Sequence, residues 1–192
     1  MNIPHSIKAL IFDCDGTLVD TMPAHYVAWC EALKPHGLTL TNERFYALAG
    51  VPTVTIVELL AREQGIECNA IAIATEKDQR YLEVDIECPP IEPVVEIARR
   101  EYGRRKLAVA SGNRSDIVRA TLRGAEIEDL FEVVVGADHV ARGKPAPDLF
   151  LHAAQLVSVK PFACLVFEDA DLGLEAGRAA GMEVVDVRPW LR

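Results

Sequence analysis

A short apolar run that ends in two closely spaced carboxylates constrains this chain more than any other feature. Residues 7–12 are apolar except for one lysine, and Asp-Cys-Asp-Gly-Thr follows at once at positions 13–17. Because residues two apart in an extended chain project to the same side, Asp13 and Asp15 can converge on one point just past the strand. Two like charges held that close require a cation, a shared proton or both. The spacing therefore predicts chemistry at the end of this strand.

Further short apolar runs predict that this strand belongs to a parallel sheet. They occupy residues 106–110, 132–135, 164–167 and 184–187, and helical patterns separate them. Buried strands that alternate with helices are typical of βαβ units. We therefore predict an α/β fold with a doubly wound, Rossmann-like parallel sheet, in which ligands bind at the carboxyl ends of the strands.

Residues 16–85 break that alternation, because they contain no convincing strand pattern. Helical patterns fill the segment instead, near residues 24–33, 42–49, 55–64 and 70–84. We predict a catalytic core formed by residues 1–15 and 86–192, with an α-helical cap inserted at 16–85. The insert leaves and re-enters at the ligand-binding end of the first strand, so we expect it to cover the two carboxylates.

Composition and charge disfavour several classes of partner. The chain has 192 residues with 29 acidic and 20 basic side chains, a net charge of −9, which disfavours nucleic acid and anionic membranes. No apolar run approaches the ~20 residues that span a membrane. The five cysteines lack CxxC spacing and favour a reducing compartment, so we expect a cytoplasmic protein. We also expect a monomer or weak dimer, because no apolar stripe is left unassigned.

Three more polar clusters follow predicted strands, and in a doubly wound sheet they would face the same crevice as Asp13. They are Ser111-Gly112-Asn113, the Gly-Lys-Pro-Ala-Pro loop that holds Lys144, and Glu168-Asp169. These groups suit phosphoryl transfer: one carboxylate attacks phosphorus, a second moves protons, and a lysine and a hydroxyl bind phosphoryl oxygens. Acidic groups from two strand ends can also hold a divalent cation, and oxygen ligands favour Mg²⁺. The helix predicted at 115–122 would take Asn113 or Ser115 as its N-cap.

These motifs, in this order, resemble those of the haloacid dehalogenase superfamily. The resemblance rests on Asp-Cys-Asp-Gly-Thr-Leu-Val-Asp-Thr at 13–21, Ser-Gly-Asn at 111–113, Gly-Lys-Pro-Ala-Pro-Asp at 143–148, Phe-Glu-Asp-Ala at 167–170, Gly173, and Ala-Ala-Gly-Met at 179–182. Over essentially its whole length the chain is similar to the β-phosphoglucomutase-like phosphatases, which insert a helical cap after the first motif. It is most similar to the small bacterial phosphatases that act on fructose 1-phosphate and 6-phosphogluconate.

The resemblance implies a role for each matching carboxylate. Asp13 would be the nucleophile and a Mg²⁺ ligand. Asp15 would be the general acid and base, with its backbone carbonyl also on the metal. Asp169 would bind the metal, and Glu168 would do so directly or through water.

The resemblance also implies which residues bind the substrate. Ser111 and Lys144 would hold the transferring phosphoryl group, and Gly112 and Asn113 would supply backbone donors. His25 matches a cap histidine of sugar-phosphate members and would orient the general acid or contact the substrate; packing of its helix is the alternative explanation. The candidates for substrate specificity are His25, Thr53, Lys77 and Asn113.

Hydrolysis and mutase chemistry remain alternatives. A mutase needs a second phosphate grip, but the insert at 16–85 holds five basic against ten acidic residues, and Thr53 stands where the mutases it resembles place an arginine. We therefore expect Mg²⁺-dependent hydrolysis of a small phosphorylated metabolite, such as fructose 1-phosphate, through an aspartyl phosphate. The alternative is a β-phosphoglucomutase that acts through a bisphosphate. A non-enzymatic receiver domain fits less well, because such domains lack the long insert and the Asp-x-Asp-Gly-Thr run.

Overall fold

The computed structural model describes residues 1–191, and within them five parallel strands form one sheet. The strands are β1 (Ala9–Phe12), β2 (Lys106–Ala110), β3 (Val133–Val135), β4 (Cys164–Glu168) and β5 (Glu183–Asp186). Their order is β3-β2-β1-β4-β5, and every neighbouring pair is parallel. The prediction of a doubly wound parallel α/β sheet is confirmed.

Eight α-helices accompany the strands within residues 1–191. They are α1 (Met22–Leu33), α2 (Asn42–Ala47), α3 (Thr53–Gln64), α4 (Ala70–Glu83), α5 (Glu92–Glu101), α6 (Ser115–Gly124), α7 (Asp148–Leu156) and α8 (Asp171–Ala179). Local signals set several of their ends. Pro93 lies in the first turn of α5, Asn69 Oδ1 accepts the Ala72 N–H at the start of α4, and Gly65, with a φ of 67°, ends α3.

Helices cover both faces of the sheet, which explains why all four residues of β1, its central strand, are apolar and buried. On one face, Leu10 and Phe12 share an apolar cluster with Val94 of α5 and Leu122 of α6. On the other face, Ile11 belongs to a cluster that includes residues of α7 and α8. Alternate residues of β1 therefore point to opposite layers of the core unit.

The centre of the sheet is β1, which pairs Phe12 with Val109 of β2 and with Phe167 of β4. The chain runs outward from β1 through β2 to β3 and then continues with β4 on the other side of β1. The strand order thus reverses between β1 and β4, the point at which open α/β sheets bind ligands. Asp13 and Glu168 lie at this reversal, at the carboxyl ends of neighbouring strands.

The residues form two compact units. The core unit consists of residues 1–20 and the chain from Cys88 onward, and it contains the sheet; the helical unit is Thr21–Glu87. The boundaries predicted from the sequence fall after residues 15 and 85 instead, and that division stays a prediction.

A tight turn follows Asp13 and belongs to the core unit. The Gly16 N–H donates to the Val19 carbonyl oxygen at 2.9 Å, and Val19 pairs antiparallel with Pro90. The Asp20 N–H also donates to the Pro89 carbonyl oxygen at 2.9 Å. Backbone hydrogen bonds therefore fix the last residues of the core unit before the helical unit begins.

The helical unit has an apolar core of its own. Trp29 and Leu33 of α1, Phe45 of α2, Leu60 of α3 and Ile73 of α4 are buried in one cluster. Among residues 1–191, no helix is both long enough and apolar enough to cross a membrane.

Candidate active site

Asp13 begins the site, one residue beyond β1. Its N–H donates to the Phe167 carbonyl oxygen at 2.9 Å, which extends the pairing of β1 with β4. The side chain is buried, and its Oδ1 lies 2.6 Å from Nζ of Lys144. Burial, followed by the charge of Glu168, raises the pKa of Asp13 well above its usual value, although Lys144 opposes this.

The side chain of Lys144 approaches the Asp13 carboxylate from the loop that precedes α7. Its Nζ donates to Oδ1 of Asp13 and to Oε2 of Glu168, both at 2.6 Å, and lies 5.1 Å from the centre of the Phe150 ring. Burial alone would lower the pKa of Lys144, but the two carboxylates outweigh burial and raise it above its usual value. Lys144 is therefore a fixed cation beside Asp13.

Glu168 is the last residue of β4, and Asp169 follows it directly. Oε1 of Glu168 accepts hydrogen bonds from the N–H groups of Asp169 (3.1 Å) and Ala170 (3.0 Å), just before α8. Oδ1 of Asp169 accepts a hydrogen bond from the Thr17 hydroxyl at 2.8 Å. Burial, followed by the charge of Glu168, raises the pKa of Asp169 to about 7.

Two glycines leave the space that these carboxylates occupy. A Cβ atom at Gly173 would lie 1.9 Å from Oε2 of Glu168. At Gly16, where φ is 79°, a Cβ atom would lie 2.5 Å from Oδ2 of Asp169. Any side chain at either position would have to displace a carboxylate, so both glycines contribute to the site although neither carries a functional group.

Asp13, Glu168 and Asp169 form a cluster that can hold a metal ion. One carboxylate oxygen of each lies within 4.8 Å of the others. The cluster sets three carboxylates against Lys144, and a divalent cation would offset the excess negative charge. Because the donors are all carboxylate oxygens, the cluster fits Mg²⁺. The side chain of Asp15 is not part of it, and a metal contact through the Asp15 backbone carbonyl stays a prediction.

Asp15 faces the loop that follows β2. Its Oδ2 accepts hydrogen bonds from Nδ2 of Asn113 at 2.8 Å and from the Ser111 hydroxyl at 3.3 Å. The Asn113 N–H in turn donates to Oγ of Ser111 at 3.1 Å. The carboxylate expected to be the general acid is thus hydrogen-bonded to the loop expected to bind phosphate. A Cβ atom at Gly112 would have no atom within 4 Å, so no steric contact requires glycine there.

Hydrogen bonds join the loop after β3 (residues 136–138) to the loop after β2 (residues 113–115), and we call this contact the clamp. It was not predicted from the sequence. Ser115 donates its N–H and its hydroxyl to the two carboxylate oxygens of Asp138, both at 2.7 Å. The Ala137 N–H donates to the Asn113 carbonyl oxygen at 2.8 Å, and a Cβ atom at Gly136 would lie 2.2 Å from the Ser115 nitrogen. The Gly-Ala-Asp run directly after the third strand was the available signal in the sequence.

This clamp corrects the predicted cap of α6. Neither Asn113 nor Ser115 is the N-cap residue; that position is Arg114, whose side chain makes no capping hydrogen bond. Asp138 accepts the Ser115 N–H instead, from a distant part of the chain. Burial alone would raise the pKa of Asp138, but the hydrogen bonds from Ser115 lower it below its usual value, so an ionised carboxylate forms the clamp.

The three candidate substrate residues of the helical unit are described within that unit alone. His25 stacks on Tyr81 with ring centres 3.9 Å apart. Lys77 is buried, and its Nζ lies 5.7 Å from the centre of the same Tyr81 ring. Thr53 is the first residue of α3 and is half-buried.

The family of this chain agrees with the reversal of the strand order and with the carboxylates gathered there. Residues 7–181 match the family model of the haloacid dehalogenase-like hydrolases, and the chain belongs to this family. The predicted family is confirmed.

Named relatives and solved structures extend this likeness. The fructose-1-phosphate phosphatase YqaB of Escherichia coli strain K12 is 42% identical, over 93% of this chain and 95% of that protein. The β-phosphoglucomutase of Bacillus subtilis strain 168 is 29% identical, over 94% of this chain and 83% of that protein. CbbY from Rhodobacter sphaeroides, solved in complex with phosphate, is 25% identical and superimposes with a TM-score of 0.83, over 93% of this chain and 84% of that one.

Proposed function

We propose that the protein is a Mg²⁺-dependent phosphatase that hydrolyses small sugar phosphates through an aspartyl phosphate. The observation that carries the proposal is the Lys144 ammonium, held 2.6 Å from both Asp13 and Glu168. A carboxylate beside a fixed cation can attack a phosphoryl group whose oxygens that cation binds. Burying charged groups so close together is costly, and a purely structural role would not require it.

Asp13 attacks phosphorus in this scheme. Asp15 first gives a proton to the departing alcohol and then takes one from the attacking water. The hydrogen bonds that Asp15 accepts from Ser111 and Asn113 support a link between substrate binding and this proton transfer. A phosphoryl group that takes over these donors would release the Asp15 carboxyl group for the leaving oxygen.

Asp13, Glu168 and Asp169 would hold the Mg²⁺ ion, together with the backbone carbonyl of Asp15. When bound, the ion supplies positive charge that polarises the phosphoryl oxygens. The clustering of three carboxylates within 4.8 Å supports this assignment. The hydrogen bonds from the Asp169 and Ala170 N–H groups to Glu168 would keep that carboxylate oriented toward the ion.

The name of the Escherichia coli relative makes fructose 1-phosphate the first candidate substrate. His25, Thr53, Lys77 and Asn113 stay candidates for specificity within this proposal. A small metabolite rather than a nucleic acid also agrees with the net charge of −9. Five cysteines that form no disulfide support a cytoplasmic location. We further propose a monomer or weak dimer.

A panel of phosphorylated metabolites tests the proposed activity. Phosphate release should require Mg²⁺, stop on addition of EDTA and resume when excess Mg²⁺ is restored. Ranking by kcat/KM should place ketose or aldose monophosphates above phosphopeptides and nucleotides, with fructose 1-phosphate near the top. Equal rates with and without divalent cation, or a preference for phosphopeptides, would contradict the proposal.

A β-phosphoglucomutase is the second candidate, because the Bacillus subtilis enzyme of that name aligns with 94% of the chain. The discriminating reaction contains β-glucose 1-phosphate and a catalytic amount of glucose 1,6-bisphosphate. The phosphatase proposal predicts that inorganic phosphate forms faster than glucose 6-phosphate. The reverse order would make the protein a mutase.

A further inference from the structure

An open pocket of about 480 Å³ lies in the core unit, at the amino-terminal edge of the sheet. Its lining includes Lys8, which immediately precedes β1, and Arg105, which immediately precedes β2. Asp13 and the other carboxylates follow the opposite ends of the strands. The pocket is therefore separate from the candidate active site.

The charge of this pocket is opposite to that of the chain as a whole. Its lining contains four of the 20 lysines and arginines but one of the 29 acidic residues. The basic residues are Lys8, Arg100, Arg104 and Arg105, with His5 beside them, and the acid is Glu101. In a protein of net charge −9, this edge is a local positive field that attracts anions.

Arg105 builds the floor of the pocket rather than binding a ligand. Its guanidinium donates to Glu101 and to the carbonyl oxygens of Ile3 (3.2 Å), Pro4 (3.3 Å) and Ile7 (3.1 Å). Four of the five N–H donors of an arginine are used in this way. The segment before β1 is thereby held against the end of α5.

Arg100 also pairs with Glu101, the one acidic residue of the pocket lining. Its Nε donates to Glu101 at 3.0 Å, and its Nη2 donates to the Met1 carbonyl oxygen at 3.3 Å. Glu101 thus pairs with two arginines and leaves no negative charge to compete with an incoming anion.

Lys8 and Arg104 are the cations that remain available. Both side chains are exposed, and neither makes a hydrogen bond or ion pair with another residue of the described chain, 1–191. Their backbones are nevertheless fixed. The Lys8 N–H donates to the Ala163 carbonyl oxygen at 2.8 Å, and the Arg104 N–H donates to that of Glu101 at 2.9 Å.

We propose that this pocket binds a small molecule that carries two phosphoryl groups. Lys8 and Arg104 would each pair with one of the two groups, since charge-assisted hydrogen bonds to phosphate are the contacts these side chains favour. The pocket volume is within the range of about 300–1,000 Å³ that is usual for small-ligand sites. The inference stands independently of the proposed phosphatase activity, because no residue of the candidate active site takes part in it.

Isothermal titration calorimetry with methylenediphosphonate, a diphosphate analogue that cannot be hydrolysed, tests the proposal in the presence of EDTA. The test variant is Lys8→Gln/Arg104→Gln. The matched control is Lys106→Gln/Arg123→Gln, which removes the same charge from two exposed residues paired with Glu132 and Glu128. The variant Lys8→Arg/Arg104→Lys exchanges the two cations.

We expect the test variant to weaken binding at the pocket by at least ~10-fold, and the control and the exchanged variant by less than ~3-fold. Turnover of phosphate monoesters should be the same in all of these proteins. An equal loss in the control would show that only net charge matters and would overturn the proposal. Binding that survives in Lys8→Gln/Arg104→Gln but disappears in Ser111→Ala would also overturn it, because the analogue would then bind at the candidate active site.

Discussion

The core unit and the helical unit each bury a lysine, and their neighbours differ in kind. Lys144 of the core unit is held by two buried carboxylates, each at 2.6 Å. The contacts of Lys77 in the helical unit include Asp78 at 3.3 Å and the rings of Trp29 and Tyr81, each with its centre 5.7 Å from Nζ. Lys144 lies between two carboxylates that cluster with a third, whereas the neighbours of Lys77 include two aromatic rings besides one carboxylate.

Burial alone therefore does not identify a catalytic lysine. A buried ammonium is costly in either unit unless nearby groups compensate it. Aromatic faces do so through cation–π attraction, which adds no reactivity. Carboxylates compensate the charge and can also bind a metal or attack phosphorus. The chemistry of the neighbours, rather than the lysine itself, therefore separates the two sites.

Replacement of Asp13, the carboxylate beside Lys144, should reduce activity most. Asp13→Asn keeps the shape of the side chain but removes the nucleophilic oxygen, so turnover of any phosphate monoester should fall ~10⁴-fold or more. Steady-state kinetics with p-nitrophenyl phosphate measures this. The control is Asp129→Asn, a matched change at an exposed acid of the same unit that should leave turnover unchanged. If Asp13→Asn keeps more than about a tenth of the wild-type activity, Asp13 is not the nucleophile.

The sequence predicts the sheet and the reactive end of β1 because both depend on local patterns. An apolar run gives β1, and the spacing of Asp13 and Asp15 is visible without any tertiary information. The contact between Asp138 and Ser115 is not predictable in the same way, because it joins residues 23 positions apart whose meeting depends on the packing of β3 beside β2. The space that Gly173 leaves for Glu168 is likewise a property of the folded chain.

The two buried lysines can be compared directly by replacing each with methionine. Lys144→Met leaves three clustered carboxylates without their cation, so the free energy of unfolding should fall by about 3 kcal/mol in the absence of divalent cations. Lys77→Met retains an apolar chain against Trp29 and Tyr81 but removes the ammonium that pairs with Asp78, and the free energy of unfolding should fall by about 1 kcal/mol. Urea denaturation in EDTA measures both changes.

Steady-state kinetics should also distinguish these two variants. Lys144→Met should lower kcat by ~10³-fold or more, because the cation opposite the transferring phosphoryl group is gone. Lys77→Met should alter KM more than kcat if Lys77 contributes to specificity as proposed. Equal losses of stability and of kcat in the two variants would show that the two lysines do not differ in role, and would contradict this comparison.

A smaller effect is expected at Asp138, which has no proposed contact with substrate and acts by positioning the loop that contains Ser111 and Asn113. Asp138→Ala removes both acceptors of Ser115, so we expect KM to rise ~10-fold and the free energy of unfolding to fall by about 1 kcal/mol. Asp138→Asn keeps one acceptor oxygen and should restore part of the loss in KM. A fall in stability with KM unchanged would show that the clamp supports the fold without positioning the loop.

Glu101 is buried away from the candidate active site, so its replacement should have the smallest effect on activity, and it tests whether a buried ion pair in the core unit can be purely structural. Burial alone would raise its pKa, but Arg100 and Arg105 outweigh burial and lower the pKa below its usual value of 4.5. Glu101→Gln should therefore cost about 1–2 kcal/mol of stability at neutral pH and leave kcat unchanged.

The pH dependence of that cost follows from the direction of the shift. A carboxyl group whose pKa is lowered by folding contributes stability that is complete above its unfolded pKa and is lost as the pH falls through the folded pKa. The difference in unfolding free energy between wild type and Glu101→Gln should hence be constant from pH 7 to about pH 5 and shrink below about pH 4.5. Urea denaturation across this range measures it. A difference that persists unchanged at pH 3 would mean that Glu101 stabilises the core unit through packing rather than through its charge.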